Sequence, residues 1–555
     1  MTNKTFEYLA LSHMWGEQSV EHLKLGIENL EDFQEDIPWH RLSSIYKEAI
    51  HVTAELGYRY LWIDSLCIIQ NDDDDWSREA SLMATVYGNA TCNLAFIFPS
   101  LTPSTTFRSD PRIYNPCVLR AATSSSPGIY IQRDTRDLRV MYQSIEYYGW
   151  LAQHNWPLFS RAWTFQEYLL CPRTLLLGHR NLMWQCSAFF YDELLGPIAE
   201  SLPNGAAKKG RDGAKSRYFP MNILKPGFAA YADMSDLMSL SFMIDWQALL
   251  NEYRSRELTE AKDRVVAFAG IARAFTNLGS LTYLAGTWAD FFPLCLLWYV
   301  DRKREVTIRY AGPEVIRGGF VEYPVKVCEE VVRQAPSWSQ FNVPIYTHHQ
   351  TYFIFNNDEI FVRQKSLYEQ PRVCWDDLYW AELDSFQFSG QPVNHFPDSG
   401  FFDFSNLSAT LDLPVLPVKV SWPAHLEQHF EHIRATDPLE AALAWKPDFT
   451  YYPDSPLAAD KIATPPRRGV LALIAEFQVC RVAGKYLVQR RLAGLVLVRA
   501  EKVGTWRRVG AWKLTIKISG VEATPENIQD TAARWKKYRI WTIGEAWQME
   551  TVTLV

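Results

Sequence analysis

Three short apolar runs near the start of the chain alternate with amphipathic helical patterns, and this alternation constrains the fold most. The runs lie at residues 8–11, 60–64 and 91–97, and we expect each to form a buried strand. Residues 41–57 and 76–87 between them place apolar side chains at helical spacing. Strands that alternate with helices predict a mostly parallel sheet with helices on both faces.

The sequence also marks where the two helices begin and end. Gly57 follows the first helical pattern, and glycine is a common residue just after a helix. The acidic run at 72–75 precedes the second pattern, where carboxylates favour the partial positive charge of a helix N-terminus. The second apolar run ends in Asp64, and this residue is therefore expected to end a strand.

The rest of the chain changes character several times. Residues 99–155 are rich in Pro, Ser, Thr and Arg and are expected to be a long inserted loop with short strands. A helix in "WPLFSRAWTFQEYLL" and a strand at 173–177 follow, and the polar stretch 201–217 is expected to be a loop. The pattern is helical and aromatic from 244 to about 300. The later apolar runs predict strands at 413–421, 468–480, 486–499 and 506–518.

These changes predict an α/β protein in three parts. They are an N-terminal domain (1–200) interrupted by the loop at 99–155, a helical middle region (201–345) and a β-rich C-terminal lobe (346–555).

Composition excludes several functional classes. The 555 residues carry a net charge of −7, which argues against a nucleic-acid or membrane-surface partner. No apolar run approaches the roughly 18 residues of a membrane span, and the first residues lack a signal-peptide pattern. The nine cysteines are scattered without a CxxC pair, which favours reduced thiols and a cytoplasmic location.

The loop after the first strand is a candidate site because ligands bind beyond the carboxyl ends of parallel strands. It carries Ser12, His13, Trp15 and Gly16, and it should adjoin Asp64. The alternatives are core packing for Trp15, a solvent-facing position for His13, and a structural carboxylate at Asp64 that caps a turn or pairs with an arginine.

The helix in "FSRAWTFQEYLL" supplies a second candidate. Ser160, Trp163 and Glu167 have spacings that place them on one helical face, and Ser160 is expected to be the N-cap. A carboxylate one turn from an indole is partly desolvated, which raises its pKa. The alternative is a structural salt bridge from Glu167 to Arg161 or Arg173.

Other constellations are weaker. Cys67, His13 and Asp64 could form a thiol nucleophile with its base, but Cys67 lies in an apolar stretch that favours burial. A Ser12-based triad lacks a nucleophile-elbow pattern. No His and Cys spacing predicts a metal site, and the histidines at 348–349 and the acidic run are expected to be solvated.

Three segments resemble the three blocks of the fungal heterokaryon-incompatibility (HET) domain. They are "YLALSHMWG", "GYRYLWIDSLCIIQNDDDDWSREASLMATVYGNA" and "FSRAWTFQEYLL". Downstream, "LNEYRSRELTEAKDRVVAFAGIA", "YLAGTW" and "APSWS" resemble the region that accompanies this domain. The chain departs from the family pattern at His13, where the family mostly carries an aromatic residue, and in the unusual loop after the third strand.

HET domains are in turn similar to Toll/interleukin-receptor (TIR) domains, and Ser160, Trp163 and Glu167 keep the spacing of a TIR helix. This resemblance implies that the N-terminal sheet is a TIR-like, flavodoxin-like parallel sheet with helices on both faces. It also implies that Glu167 is the catalytic residue for cleaving NAD. Thr164 replaces a Cys of that helix that the chemistry does not need. It further implies that a small-molecule substrate is bound by the residues Ser12, His13, Trp15, Gly16, Asp64, Ser160, Arg161 and Trp163.

The family resemblance implies an effector of fungal programmed cell death in non-self recognition, with NAD as a substrate and no bound cofactor or metal. Two alternatives stay open. One is a non-enzymatic HET scaffold that associates with further copies or with an activating protein partner. The other is a family member recruited to small-molecule biosynthesis.

Overall fold

The structure is a computed structural model, and it describes about half of the chain. The described residues are 6–14, 23–97, 117–131, 157–178, 182–186, 190–193, 196–197, 240–254, 256–258, 260, 263–279, 281–300, 327–328, 335–342, 345–346, 351–354, 379–380, 387–389, 404, 406–422, 425–427, 446–453, 464–482, 486–517 and 548–555.

The described residues of the N-terminal part form short strands and five α-helices. The strands are β1 (Tyr8–Ser12), β2 (Tyr60–Trp62), β3 (Cys92–Phe96), β4 (Cys117–Arg120), β5 (Ile129–Ile131), β6 (Arg173–Leu177), β7 (Leu182–Cys186), β8 (Phe190–Asp192) and β9 (Gly196–Pro197). The helices are α1 (Leu30–Glu35), α2 (Ser44–Glu55), α3 (Asp64–Cys67), α4 (Asp73–Asn89) and α5 (Trp163–Leu170). Short 3₁₀ helices lie at Ile27–Asn29, Trp39–Arg41 and Pro157–Ser160.

Seven of these strands form one sheet in the order β2-β1-β3-β6-β7-β8-β9. The first four strands are parallel, and β7, β8 and β9 add antiparallel pairs at one edge. The parallel strands therefore have the order of the first four strands of a flavodoxin-type sheet, whereas the next position is antiparallel. The expected α/β fold with parallel strands in its first sheet is confirmed, whereas the three antiparallel strands at one edge were not expected.

Side chains of β1 alternate between two cores, which is why helices lie on both faces of the sheet. Leu9 and Leu11 pack with Tyr46 of α2 on one face. Ala10 packs with Met83 and Tyr87 of α4 on the other. The face with Ala10 also carries Ser12, since it lies two residues further along the strand.

The helix boundaries follow the predicted signals. The Asp72 side chain accepts hydrogen bonds from the backbone N–H groups of Asp74 and Asp75 and caps α4. Gly57 has a φ angle of +81°, a conformation that favours glycine, just beyond the end of α2. Both predictions from the sequence are confirmed.

Two local expectations are wrong. The second strand is a half-exposed edge strand because only β1 pairs with it, and Asp64 opens the short helix α3 instead of ending the strand. Ser160 does not cap α5, since it belongs to the preceding 3₁₀ helix and the N-cap position is Ala162, without a side-chain cap.

Of the insertion at 99–155, the described residues 117–131 form the antiparallel pair β4 and β5. The expected loop at 201–217 lies outside the described residues.

The middle region contains the helices α6 (Leu240–Arg254) and α7 (Asp263–Gly279), followed by short strands and 3₁₀ helices. Its strands are β10 (Tyr283–Leu284), β11 (Thr287–Trp288), β12 (Trp298–Val300), β13 (Val327–Cys328), β14 (Ile345–Tyr346) and β15 (Thr351–Phe353). Its 3₁₀ helices are Ala289–Phe291, Leu294–Leu296 and Gln340–Asn342. A helical middle region is therefore not confirmed, because short extended pieces surround the two helices.

The C-terminal region is rich in strands, as expected. The strands are β16 (Tyr379–Trp380), β17 (Gln387–Ser389), β18 (Ser408–Trp422), β19 (His425–Glu427), β20 (Lys446–Pro453), β21 (Thr464–Val482), β22 (Tyr486–Arg499), β23 (Thr505–Lys517) and β24 (Gln548–Leu554). Strands β18, β21, β22, β23 and β24 pair in a closed ring, because β18 pairs with both β24 and β21.

One apolar core connects the three parts of the chain. It runs from Leu176 on the N-terminal sheet, through Phe165 of α5 and Phe268 of α7, to Leu495 of the closed sheet. Within the described ranges, no helix is long and apolar enough to cross a membrane.

The contact of α7 with α4 and α5 depends on Gly270. A Cβ atom at this position would lie 2.4 Å from the Cβ of Ala84 and 2.6 Å from Oε1 of Gln166. We predict that Gly270→Ala destabilises the protein by about 1–3 kcal/mol, because the helices must separate. Gly88→Ala is the matched control, since nothing lies within 4 Å of its Cβ position and alanine is the better helix former. Urea unfolding followed by circular dichroism measures both, and equal midpoints would contradict the prediction.

Candidate functional site

The candidate site lies at the carboxyl end of β1, where the strand order reverses. From β1 the chain forms β2 on one side of β1, and it then crosses to form β3 on the other side. In open α/β sheets such a switch point is where ligands bind. Ser12 is the last residue of β1, and Asn93 of β3 pairs with Ala10, so both side chains face α4 and α5.

A buried carboxyl group at Glu167 is the centre of the site. The Ser12 hydroxyl donates to Oε2 of Glu167 at 2.5 Å. The Asn93 amide lies against the same hydroxyl, with Nδ2 at 2.9 Å and Oδ1 at 3.1 Å from the Ser12 Oγ. The exposed fractions of Ser12, Asn93 and Glu167 are only 2%, 0% and 3%. These three residues thus form a polar cluster enclosed by apolar packing.

Tyr87 of α4 completes this cluster. Its hydroxyl donates to the backbone carbonyl oxygen of Leu11 at 2.8 Å, next to Ser12. The ring is fully buried and meets Trp62 edge to face at 5.5 Å. Burial first, and then the nearby Glu167 carboxylate, raises the pKa of Tyr87 well above its usual value. The phenol is therefore neutral and holds the end of β1 against α4.

The environment raises the pKa of Glu167 to about 7. Burial is the largest cause, because it penalises the ionised form. The charge of Arg161 lowers the pKa, that of Asp64 raises it, and the hydrogen bond from Ser12 lowers it. A carboxyl group with this pKa can both donate and accept a proton near neutral pH.

A second polar group lies beside the first and is centred on His13. His13 Nε2 is 3.2 Å from the Tyr46 hydroxyl, which is 2.5 Å from the Ser65 hydroxyl. His13 Nδ1 is 3.9 Å from Oδ1 of Asp64. The Ser65 backbone N–H donates to the same Asp64 oxygen at 2.8 Å, which fixes that carboxylate at the start of α3. The imidazole is also buried, since only 2% of His13 is exposed, and the solvent-facing alternative for His13 is therefore wrong.

Arg161 connects the two groups. Its Nη1 donates to the backbone carbonyl oxygen of His13 at 2.5 Å. The charge of the guanidinium also attracts the Glu167 carboxylate, and this attraction makes the rise of the Glu167 pKa smaller. Arg173, the other expected salt-bridge partner of Glu167, is exposed and donates to the backbone carbonyl oxygen of Thr91. Of the two arginines, Arg161 is thus the one near the carboxyl group.

Residues far along the sequence hold the start of α5. The Ala162 N–H donates to the carbonyl oxygen of Glu257 at 2.8 Å, and the Glu257 N–H donates to that of Ser160 at 2.6 Å. Trp163 donates from its indole N–H to Oδ2 of Asp263 at 3.3 Å and meets Trp76 edge to face. The helix that carries Glu167 is therefore bound to the segment between α6 and α7.

Arg256 strengthens this attachment from inside the core. Its guanidinium lies over the ring of Phe165 at 4.5 Å and pairs with Glu252 at 3.2 Å. It also reaches the Thr164 hydroxyl at 3.4 Å. Burial lowers the pKa of Arg256, and the charge of Glu252 opposes that shift. A buried cation of this kind needs its partners in place.

The structure brings together five of the residues selected from the sequence, namely Ser12, His13, Asp64, Arg161 and Glu167. Trp163 packs between Trp76 and Asp263, and Ser160 lies in the 3₁₀ helix before α5. Trp15 and Gly16 lie outside the described residues.

The rival constellations gain no support. Cys67 is exposed, so its expected burial is wrong. Partial desolvation by the neighbouring chain, and then the Asp64 charge, still raise the pKa of its thiol, so the reactive thiolate is disfavoured. In the described part of the chain, no group of three or more His, Cys, Asp or Glu side chains could hold a metal ion.

Sequence reasoning missed four residues of the site and its supports: Tyr46, Ser65, Tyr87 and Asn93. Asn93 carried the one usable signal, since an amide inside the apolar strand Cys92–Phe96 needs a buried hydrogen-bond partner. The hydroxyl groups gave no signal, because Tyr46 and Tyr87 also fit the apolar stripes of their helices.

The fold and the site define an α/β protein with a buried, proton-exchanging carboxyl group beyond the parallel strands. Residues 8–167 match the family model "Heterokaryon incompatibility protein (HET)", a segment that runs from the first residue of β1 to Glu167. The chain is also 23% identical over 193 residues to "Heterokaryon incompatibility protein 6, OR allele" of Neurospora crassa. That similarity covers 30% of this chain and 28% of the relative, so the chain spans well under half of the relative's length.

Both matches support the heterokaryon-incompatibility family for the N-terminal segment. The expected HET resemblance is confirmed on this evidence of similarity, and the comparisons do not show the TIR resemblance. No solved structure matches the chain.

The raised pKa of Glu167 predicts a pH-dependent stability. The unfolded carboxyl group ionises near its usual pKa of 4.5, whereas the folded one ionises near 7, so the folded state loses stability as the pH rises between these values. We expect Glu167→Gln to be the more stable protein above pH 7, by up to about 3 kcal/mol, with little difference at low pH. Urea unfolding across this pH range measures it. The exposed Glu55→Gln is the control, and a pH-independent difference at Glu167 would contradict the prediction.

Loss of the buried guanidinium at position 256 should release the start of α5. We predict that Arg256→Ala destabilises the protein by about 3 kcal/mol, because Glu252 and the Thr164 hydroxyl lose their partner inside the core. Arg173→Ala, which removes an exposed arginine near the end of the same helix, should have little effect. Thermal unfolding compares the two variants, and equal melting temperatures would show that Arg256 does not hold the helix.

Proposed function

We propose that this chain acts in fungal heterokaryon incompatibility and that it does so by cleaving NAD at the carboxyl group of Glu167. The observation that carries the proposal is the environment of that carboxyl group. It is bonded to Ser12 at the end of β1, its pKa is near 7, and it ends the segment that matches the HET family. Functional carboxyl groups are often tuned in this way by burial and nearby charges.

The chemistry follows from the charge that develops in the reaction. Cleavage of the N-glycosidic bond to nicotinamide gives the ribose oxocarbenium character, and a carboxylate close to that ring stabilises it. Nicotinamide leaves as a neutral molecule, so one carboxyl group suffices. Water then forms a bond to the same ribose carbon and releases one proton, which gives ADP-ribose. In this proposal the ionised Glu167 stabilises the ribose, and Asp64 accepts hydrogen bonds from ribose hydroxyl groups. Arg161 binds a phosphate, for which a guanidinium is suited.

The burial of Glu167 adds a requirement to this proposal. With 3% of the residue exposed, a substrate reaches the carboxyl group only after the surrounding chain has moved. Catalytic turnover then includes a conformational step, and the apparent affinity for NAD falls with the fraction of open molecules.

A second candidate function is a non-enzymatic HET scaffold that associates with further copies or with a partner protein. The same burial favours it, since the Ser12 hydrogen bond and the charge of Arg161 stabilise Glu167 within the fold itself. In this case the cluster holds β1 to α5, and the function depends on an intact fold and not on chemistry.

Incubation of the purified full-length protein with NAD tests the proposal. We expect release of nicotinamide by the wild type and by Glu55→Gln, and at least a hundredfold slower release by Glu167→Gln, because loss of a group that stabilises the transition state typically costs about 10²–10³ in rate. Chromatography of nicotinamide and ADP-ribose measures the rates, and circular dichroism verifies that each variant is folded. Full activity of a folded Glu167→Gln variant would refute the catalytic role.

Expression in a fungal host distinguishes the two candidates. An NAD-cleaving effector should deplete cellular NAD and inhibit growth, and Glu167→Gln should abolish both effects. If the variant still causes incompatibility while NAD is unchanged, the scaffold function is supported and the enzymatic one is refuted.

A further inference from the structure

Asn93 presents both polar atoms of its amide to a single hydroxyl group. Its Nδ2 lies 2.9 Å and its Oδ1 lies 3.1 Å from the Ser12 Oγ, so the amide can either donate to Ser12 or accept from it. The third neighbour of the same oxygen is Oε2 of Glu167 at 2.5 Å. Ser12 has one hydroxyl proton, and it can therefore point to Glu167 or to Asn93, but not to both.

We propose that Ser12 and Asn93 form a reversible hydrogen-bond relay that lets the buried Glu167 change its protonation state while its carboxyl group and the Ser12 hydroxyl both keep a hydrogen-bond partner. The relay rests on the proposed function and extends it, because it makes Asn93 a positioning residue that acts through Ser12.

The two states of the relay differ only in hydroxyl and amide orientation. With Glu167 ionised, Asn93 Nδ2 donates to Ser12, and Ser12 donates to the carboxylate. With Glu167 protonated, the carboxyl O–H donates to the Ser12 oxygen, and Ser12 donates to Oδ1 of Asn93. The proton that Glu167 gains or loses is exchanged with substrate or solvent, and Ser12 and Asn93 each keep their own protons.

This arrangement answers a specific energetic problem. A buried polar group without a partner costs about 1–3 kcal/mol, so a rigid donor would favour one protonation state of the carboxyl group and penalise the other. A side chain that can donate or accept at the same position avoids that penalty in both states. The pKa of about 7 is consistent with two states of similar energy near neutral pH.

Other charged and titratable groups lie near Glu167. The charge of Arg161 lowers the pKa of its carboxyl group and that of Asp64 raises it, and Arg256 is a further buried cation nearby. The Tyr87 hydroxyl donates to the Leu11 carbonyl oxygen and also hydrogen-bonds to Glu167, which lowers the same pKa. The Ser12 hydroxyl differs from these groups because an amide that can both donate and accept lies against it.

Infrared spectroscopy of the full-length protein tests the relay without any substrate. The carbonyl band of the protonated Glu167 is followed against pH and is assigned by its loss in Glu167→Gln. We expect Ser12→Ala to raise the titration midpoint from about 7 by about one to two pH units, because the ionised form loses a charge-assisted hydrogen bond that is stronger than the neutral one lost by the protonated form. Ser12→Thr retains a hydroxyl and should restore a midpoint close to that of the wild type.

Asn93→Leu tests the two-way role directly, since leucine keeps the branched shape of the amide and has neither donor nor acceptor. We expect urea unfolding to show a similar loss of stability at about pH 5 and at about pH 9, because each protonation state loses one hydrogen bond. Thr174→Val is the matched control. Thr174 is buried on the neighbouring strand in register with Asn93, and its hydroxyl has no hydrogen-bond partner among the described residues, so the urea midpoint should not move at either pH.

The outcomes separate the relay from simpler roles. A loss of stability in Asn93→Leu only above the midpoint would make Asn93 a one-way donor and overturn the relay. An unchanged midpoint in Ser12→Ala would overturn it as well. Since no NAD is present, failure of NAD cleavage leaves these results unaffected, and an enzyme without the relay would still release nicotinamide.

Discussion

The hydrogen bond between Ser12 and Glu167 is the contact on which the site depends, because it joins the last residue of β1 to α5. A carboxyl group can lie at this depth only if its burial is compensated by donors and by a nearby cation. Ser12 and Arg161 supply these, and Asn93 supports Ser12 from the next strand. The conformation at the end of β1, the position of α5 and the ionisation of Glu167 therefore depend on one another.

The same helix also links the N-terminal sheet to the rest of the protein. The backbone at its start is hydrogen-bonded to Glu257, and the indole of Trp163 donates to Asp263. The ring of Phe165 packs against the guanidinium of Arg256. The match to the HET family ends at Glu167, whereas these supports lie about ninety to one hundred residues later. The environment of Glu167 thus includes residues outside the matched segment, and the core that contains α5 continues to the closed sheet.

Much of the first sheet could be predicted because its signals are local. Apolar runs, a capping aspartate and Gly57 are each visible within a few residues, and they located the three strands and α4 closely. The edge position of β2 could not be predicted, since an apolar strand looks the same at an edge as in the centre. The N-cap assignment of Ser160 failed for a similar reason, because the chain forms a 3₁₀ turn that depends on Glu257.

The sequence by itself determined the alternation of strands and helices and the β-rich C-terminal region, because periodicity is a property of neighbouring residues. Glu167 became a candidate through a resemblance to known domains. Tertiary structure alone decided that Asn93 and Tyr87 meet Ser12 beside that carboxyl group, and that Arg256 lies over Phe165. These pairs are separated by about 75 to 90 residues along the chain. Their contacts arise from strand order and helix packing, which no local pattern encodes.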